Sequence, residues 1–324
     1  MRPPLPVDTP ILSADDPSAL EAAADLLARG GCVAVPTETV YGLAADASCG
    51  EAVAGIYEAK GRPRFNPLIA HVDTLERARS LVDLPKAALD LAKAFWPGPL
   101  TLVAPRRPHA TVSDLAAAGL DTLAVRLPAS PAIQELVRRL DRPLAAPSAN
   151  PSGQVSPTRA EHVKAGLNGR IHLILDGGPC RVGVESTIVS FIEPDRPALL
   201  RPGGLDRARI EGVTGPLSAG AVDPAAPSAP GQLASHYAPR AEIRLNATSA
   251  GPDESYLAFG PQAKVEAHEY FNLSPSGDLA EAAANLFSGL RILDAKAARI
   301  AVAPIPVTGL GEAINDRLRR AAIR

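Results

Sequence analysis

Short apolar blocks alternate with helical stripes along the first two thirds of the chain. The runs Cys32-Val33-Ala34-Val35, Leu68 to Val72, Leu100 to Ala104, Leu123 to Leu127, Leu144 to Ala146, Leu173 to Leu175, Thr187 to Phe191 and Ala198 to Arg201 look like strands, many of them short and buried on both faces. Asp16 and Pro17 give a cap and first-turn signal, Leu20, Ala23, Ala24 and Leu27 form a helical stripe, and Gly30-Gly31 stops it. Helical periodicity returns at Lys86 to Phe95, Ala132 to Leu140 and Arg159 to Leu167, where Thr158 and Glu161 have capping-box spacing. A shorter stripe of Val53, Ile56 and Tyr57 is closed by Gly61 and Pro63. Strands with helices between them, then strands in succession, predict a mixed α/β sheet rather than a strict βαβ repeat.

From Thr214 to Pro239 the composition shifts to Pro, Ala, Gly and Ser, which cannot bury a core. The expected organisation is therefore a main domain over 1–213, a connector over 214–239 and a small α/β domain over 240–324. In the last, Ala241 to Leu245, Ser255 to Phe259 and Ile300 to Ala303 look like strands, and Leu279 to Leu293 and Glu312 to Ala322 like helices.

Composition narrows the class of ligand. A chain of 324 residues buries roughly 75% of its unfolded surface, and 46% hydrophobic with 21% charged residues is ordinary for a folded protein. The net charge of -2 supplies no overall attraction to nucleic acid or anionic lipid, so small anionic ligands fit better. Cys32, Cys49 and Cys180 are odd in number and widely spaced, which indicates neither a disulfide framework nor a zinc site and points to a reducing cytoplasm. The N-terminal stretch lacks an apolar core of signal-peptide length, and no run of eighteen apolar residues occurs, so no membrane association is expected.

Against this Ala- and Val-rich background, the polar residues gather in a few places. Thr37, Thr39 and Tyr41 follow the first strand at period two and are expected on one face. Lys60 and Arg62 flank a glycine, with Asn66 close behind, and are either a solvated helix end or suited to different oxygens of one polyphosphate. Pro147 to Gly153, PSANPSG, offers small hydroxyl and amide groups with free backbone N–H groups. Thr122, Arg126 and Val184 to Thr187 place hydroxyls and a guanidinium at strand ends. Arg126 lies in an otherwise apolar strand, so it is either exposed by alternation or paired with a carboxylate, which an amino-acid substrate is able to supply. His71 in IAHV is equally open between core residue and ligand contact. Ser235 to Pro239, SHYAP, ends the connector with an aromatic and an imidazole that gain from docking, over the mouth of a site for example. No P-loop, dinucleotide fingerprint, H-E-x-x-H or G-x-S-x-G pattern occurs, so any ATP binds outside those schemes.

Read in order, PTETVYGL, AKGRP with NPLIAHV, WPGPLT, VRLP, PSANPSG, ILDGG through VESTIV, LRPG and HYAP resemble the threonylcarbamoyl-AMP synthases with a YrdC-like domain. The trailing GLGEAINDRLRRAA resembles the extra C-terminal domain of their longer, two-domain subgroup. The resemblance implies a YrdC-like mixed twisted β-sheet domain with flanking helices, plus a small C-terminal α/β domain of Rossmann-like type. It also implies an enzyme that condenses L-threonine, bicarbonate and ATP into L-threonylcarbamoyladenylate and releases pyrophosphate. A separate tRNA threonylcarbamoyl transferase would then use that product on an adenosine beside the anticodon, so strong direct tRNA binding is not expected.

By the same resemblance, Thr39, His71, Arg126, Ala146 and Ser186 match threonine-site positions. Arg62, Asn66, Thr122, Ser148, Ser156, Arg201 and Tyr237 match ATP-site positions, and Lys60 and Asn150 complete the K-x-R and S-x-N patterns. Lys60 and Arg62, with Arg201, would offset charge on the phosphates, magnesium would be carried by ATP, and no protein metal site is expected. The connector departs from the family pattern at Gln232, where Met is usual. Two rival readings are a double-stranded RNA-binding module, which the near-neutral charge disfavours, and a related carbamoyl-adenylating enzyme, whose greater length and zinc-finger motifs this chain lacks.

Overall fold

The computed structural model describes residues 2–220, 229–230, 236–261 and 265–323. In chain order the elements are β1 Ile11–Ser13, α1 Pro17–Ala28, β2 Val33–Val35, β3 Gly42–Asp46, α2 Gly50–Lys60, β4 Ile69–His71, α3 Leu75–Leu81, α4 Lys86–Phe95, β5 Leu100–Pro105, β6 Thr122–Arg126, α5 Pro131–Leu140, β7 Leu144–Ala145, α6 Ala160–Leu167, β8 Leu173–Asp176, β9 Thr187–Ser190, β10 Ala198–Arg201, α7 Arg207–Thr214, β11 Ser218–Ala219, β12 Glu242–Arg244, β13 Glu254–Ala258, β14 Tyr270–Asn272, α8 Leu279–Asp294, β15 Arg299–Val302 and α9 Leu310–Ala321.

β1 to β11 join into one mixed sheet in the order β1-β8-β2-β3-β7-β4-β6-β5-β9-β10-β11. Parallel pairs such as β4 with β6 and β5 with β9 sit beside antiparallel pairs such as β2 with β3 and β5 with β6. The expected mixed sheet is therefore present. β11 pairs with β10, so the main sheet extends to Ala219. The second sheet, β12-β15-β13-β14, is wholly parallel. Its core, with α8 and α9, takes in Leu257, Leu286, Phe287 and Ile314 and also reaches Val40, Val155 and Val184 of the main sheet's loops.

Local chemistry explains the helix ends. Asp16 caps α1 by accepting from the Ser18 N–H with Pro17 in the first turn, as the sequence predicts. Gly61 closes α2 with φ of 60°, a left-handed value that suits glycine. Thr158 does not cap α6: the helix begins after Arg159 without a side-chain cap, and the Thr158 hydroxyl turns to Ser288 on α8. The capping-box reading fails because the hydroxyl has a tertiary partner.

Candidate active site

Register places the polar residues. In the parallel pairing of β4 with β6, His71 stands directly beside Arg126. Parallel pairing of β5 with β9 brings Thr101 next to the start of β9, where its hydroxyl meets that of Ser186 at 2.7 Å. At the end of β10, Arg201 turns back and donates to the Ser186 carbonyl at 2.9 and 3.1 Å and to its hydroxyl at 3.2 Å. Gly203 permits this approach, since a Cβ there would lie 2.4 Å from the Glu185 carbonyl oxygen and from the backbone of Ser186 and Thr187.

These strand ends surround a cavity lined by Thr39, Arg62, His71, Arg126, Ala146, Ser148, Ser186, Arg201 and Tyr237 among the predicted residues. Glu185 and His236 also line it. The remaining predicted positions lie outside its lining. Lys60 is buried and donates to the carbonyls of Ser148 and Asn150, both at 2.5 Å, so it fastens the PSANPSG loop. Ser156 donates to Glu185 at 2.6 Å. Thr122 is half-buried at the far end of β6. Asn66 is buried with neither side-chain amide atom paired, and the Asn150 amide oxygen is likewise unpaired. Buried amides without partners are the groups that a ligand would satisfy.

The expectation that Thr37, Thr39 and Tyr41 share one face is corrected for Tyr41, while the Thr37 and Thr39 hydroxyls do meet, at 2.8 Å. After Val35 the chain turns, with the Thr37 hydroxyl bonded to the Val40 carbonyl at 2.6 Å and accepting from the Thr39 and Val40 N–H groups. That hydroxyl-centred turn ends the period of two. Thr39 consequently reaches the cavity, while Tyr41 enters the core and donates to the Gly178 carbonyl at 2.8 Å.

Charge in the site is more balanced than the sequence implies. Arg126 pairs with Glu38 at 2.6 Å, both side chains being nearly inaccessible, and also donates to Thr39 at 3.1 Å and to the Gly98 carbonyl at 3.2 Å. Its carboxylate partner in this structure is thus a residue of the chain. Burial opposes ionisation of Glu38, but the adjacent Arg126 outweighs it and holds the carboxyl below its ordinary value. Glu185 is held down to about 2: burial works against it, and Arg317 and Arg201 prevail. Burial, then Arg126, lowers His71 to about 3, so it enters as a neutral imidazole. Lys60 falls well below its usual range, through burial and then the charge of Arg62.

Sequence reasoning missed Glu38, Glu185 and Arg317 as charge partners. The signal for Glu38 was a lone acid between apolar and hydroxyl residues. For Arg317 there was none, because it lies among the arginines of RLRR. The end of the connector is pinned over the cavity: Ala238 donates to the Gly153 carbonyl at 2.8 Å, and Tyr237 packs against Phe287 with ring centroids 5.6 Å apart. Ser235 and Gln232 lie outside the described residues.

A mixed sheet whose strand ends gather two guanidiniums, a neutral imidazole and small hydroxyls, roofed by a tyrosine, defines a pocket for small anionic ligands. The chain belongs to the Sua5/YciO/YrdC family, whose model Sua5_yciO_yrdC, described as "Telomere recombination", matches residues 25–203. A second model, "Threonylcarbamoyl-AMP synthase, C-terminal domain", matches residues 205–323. The Bacillus subtilis protein named threonylcarbamoyl-AMP synthase is 42% identical over 330 residues, spanning 96% of this chain and 94% of its own. The Pyrococcus abyssi protein of the same name is 42% identical over 325 residues, or 93% of each chain. A crystal structure of P. abyssi Sua5 complexed with L-threonine superposes with a TM-score of 0.85 at 40% identity and covers 94% of both chains.

Proposed function

We propose that this chain makes L-threonylcarbamoyladenylate from L-threonine, bicarbonate and ATP. The observation that carries this reading is the pairing of His71 with Arg126 on neighbouring strands, in one cavity with Arg62 and Arg201. Arg126, Thr39, His71, Ala146 and Ser186 would receive threonine, and Arg62, Ser148, Arg201 and Tyr237 the nucleotide, with Asn66, Asn150, Ser156 and Thr122 as further nucleotide contacts. The names of the relatives and the threonine complex of P. abyssi Sua5 support the overall reaction, and the division of residues is our own reading.

In the reaction, the threonine amine forms an N–C bond with carbon dioxide derived from bicarbonate and gives up a proton to solvent. A carbamate oxygen then bonds to the α-phosphorus as the Pα–O–Pβ bridge breaks and pyrophosphate leaves. Nothing in this sequence needs a covalent nucleophile, so the protein contributes positioning and charge stabilisation. Magnesium would arrive on the triphosphate. Phosphate and water would hold that ion; no group of three His, Cys, Asp or Glu side chains gathers among the described residues. The product would pass to a tRNA threonylcarbamoyl transferase. No helix among the described residues is long and apolar enough to cross a membrane.

Pyrophosphate release with threonine, bicarbonate and ATP omitted in turn tests the reading: each omission should abolish it. Valine should be a poor substitute for threonine, because the pocket's hydroxyls and imidazole would be left unpaired, whereas serine, lacking one methyl, should lose only about 1–3 kcal/mol of discrimination. Equal pyrophosphate release with valine and threonine would refute the pocket assignment.

The connector over 214–239 reads as a lid. The cavity lined in part by Tyr237 and His236 holds about 40 Å³, and a single water needs roughly 10–15 Å³ of such space, so its lining would have to open to admit ATP. Closure over the nucleotide would shield a water-sensitive mixed anhydride. Cleavage within residues 214–239 by a trace of protease should slow when ATP and threonine are both present. A cleavage rate indifferent to both ligands would make the connector a tether only.

A further inference from the structure

Arg126 has five N–H donors and three bonds in this structure, one from Nε to Gly98 and two from Nη2 to Glu38 and Thr39. Nη1 takes part in none of them, and Arg126 lines the cavity. Glu38 lies on the other side. It lines a separate groove of about 650 Å³, bordered by Ser130, Gln134 and Arg138 of the β6–α5 segment, and is absent from the cavity's lining. The Glu38–Arg126 pair is thus the partition between the two spaces, with the carboxylate behind and the guanidinium in front.

We infer that Glu38 is a positioning residue for the amino-acid subsite: from behind, it holds the Arg126 guanidinium in the one orientation that presents Nη1 to a substrate carboxylate. This inference rests on the reading of the cavity as a threonine site. Two effects of Glu38 oppose each other. Its negative charge weakens the attraction of Arg126 for a second carboxylate. Its bond also removes the rotamer freedom of a long side chain before substrate arrives, which is affinity gained by preorganisation. The geometry favours the second effect, because Glu38 uses Nη2, lies outside the cavity and need not move when a ligand binds. A competing carboxylate would instead have to occupy the ligand's own space.

The position of Glu38 makes the test specific. Glu38→Gln keeps the shape and an acceptor oxygen but removes the charge that anchors Arg126, and Glu38→Asp keeps the charge at a shorter reach. Pyrophosphate release, measured against threonine and ATP separately, should show KM for threonine raised about tenfold in Glu38→Gln, with KM for ATP within about twofold of wild type. Glu38→Asp should fall between, and thermal melting should report on folding in each. A threonine KM that is unchanged or lower in a folded Glu38→Gln protein would overturn the inference, the lower value meaning that Glu38 competes with substrate. Equal rises in both KM values with a lowered melting temperature would also overturn it, as a structural role only. Should Glu38→Gln fail to fold, Glu38→Asp decides by the same split. If wild-type protein releases no pyrophosphate in response to threonine, the reading of the cavity fails instead, and the two failures are separable.

Discussion

Arg62→Ala is expected to lower kcat/KM by about tenfold to a hundredfold or more in a protein that still folds, beyond any fall in melting temperature from the two carbonyls it holds. Arg62 follows the left-handed Gly61, and its guanidinium is held by the carbonyls of Pro67 at 3.0 Å and Asn66 at 3.3 Å. It lines the cavity beside Ser148 and Arg201. Burial lowers it to about 10, so it stays cationic at neutral pH. A charge-assisted bond to phosphate is worth roughly 1.5–3 kcal/mol, which sets the size of the loss. Arg62→Lys should recover only part of it, since a flexible ammonium cannot reproduce the fork. Lys60→Ala belongs to a different class. Its ammonium lies outside the cavity's lining and binds two loop carbonyls, so its loss should act through the loop and the melting temperature, against the simple expectation of two equivalent phosphate cations. Wild-type kcat/KM in Arg62→Ala would remove this residue from the nucleotide site.

Most of the fold's long elements are legible in the sequence because each carries a local signal. Asp16 with Pro17, Gly61 after α2, and the apolar runs that become β4 to β10 are examples. β3 is not legible: its sequence GLAAD lacks β-branched residues, and it is a strand because β2 and β7 pair with it on either side. β1 and β14 are three residues each, too short for a periodic signal. In the site, the residues that line the cavity come from motifs recognisable along the chain. What they touch is not so recognisable. The Glu38–Arg126 and Glu185–Arg317 pairs join positions 88 and 132 residues apart, and only the tertiary packing of loops, strand ends and α9 brings them together. Lys60 shows the same limit, since its spacing from Arg62 says nothing of the loop carbonyls it binds.

The largest effect on stability is expected at Arg317. Its side chain is completely inaccessible and joins α9 of the second sheet to the main sheet's loops: Nε to Glu185 at 2.7 Å, Nη1 to Asp316 at 2.6 Å and to the Pro202 carbonyl at 2.9 Å. The guanidinium also lies 5.2 Å from the centre of the Tyr237 ring. Arg317→Met keeps much of the volume but leaves Glu185 without its guanidinium, while Asp316 keeps Arg320 at 3.0 Å, and breaking a buried pair from one side costs about 3–5 kcal/mol. The melting temperature should therefore fall by on the order of 10 °C. Acid supplies an independent check. Glu185 has its folded value held down to about 2 from an ordinary 4.5, so its pairing contributes stability that is present above about 4.5 and lost as pH falls through about 2. Wild-type protein should accordingly lose stability across that window, and Arg317→Met, having lost the foremost cause of the depression, should show a shallower decline. Asp316→Asn removes a carboxylate that is slightly more accessible and should cost less. Melting curves recorded between pH 2 and 7 decide the matter: an Arg317→Met protein with wild-type melting temperature and wild-type acid slope would mean that the two sheets are held together by contacts other than Arg317.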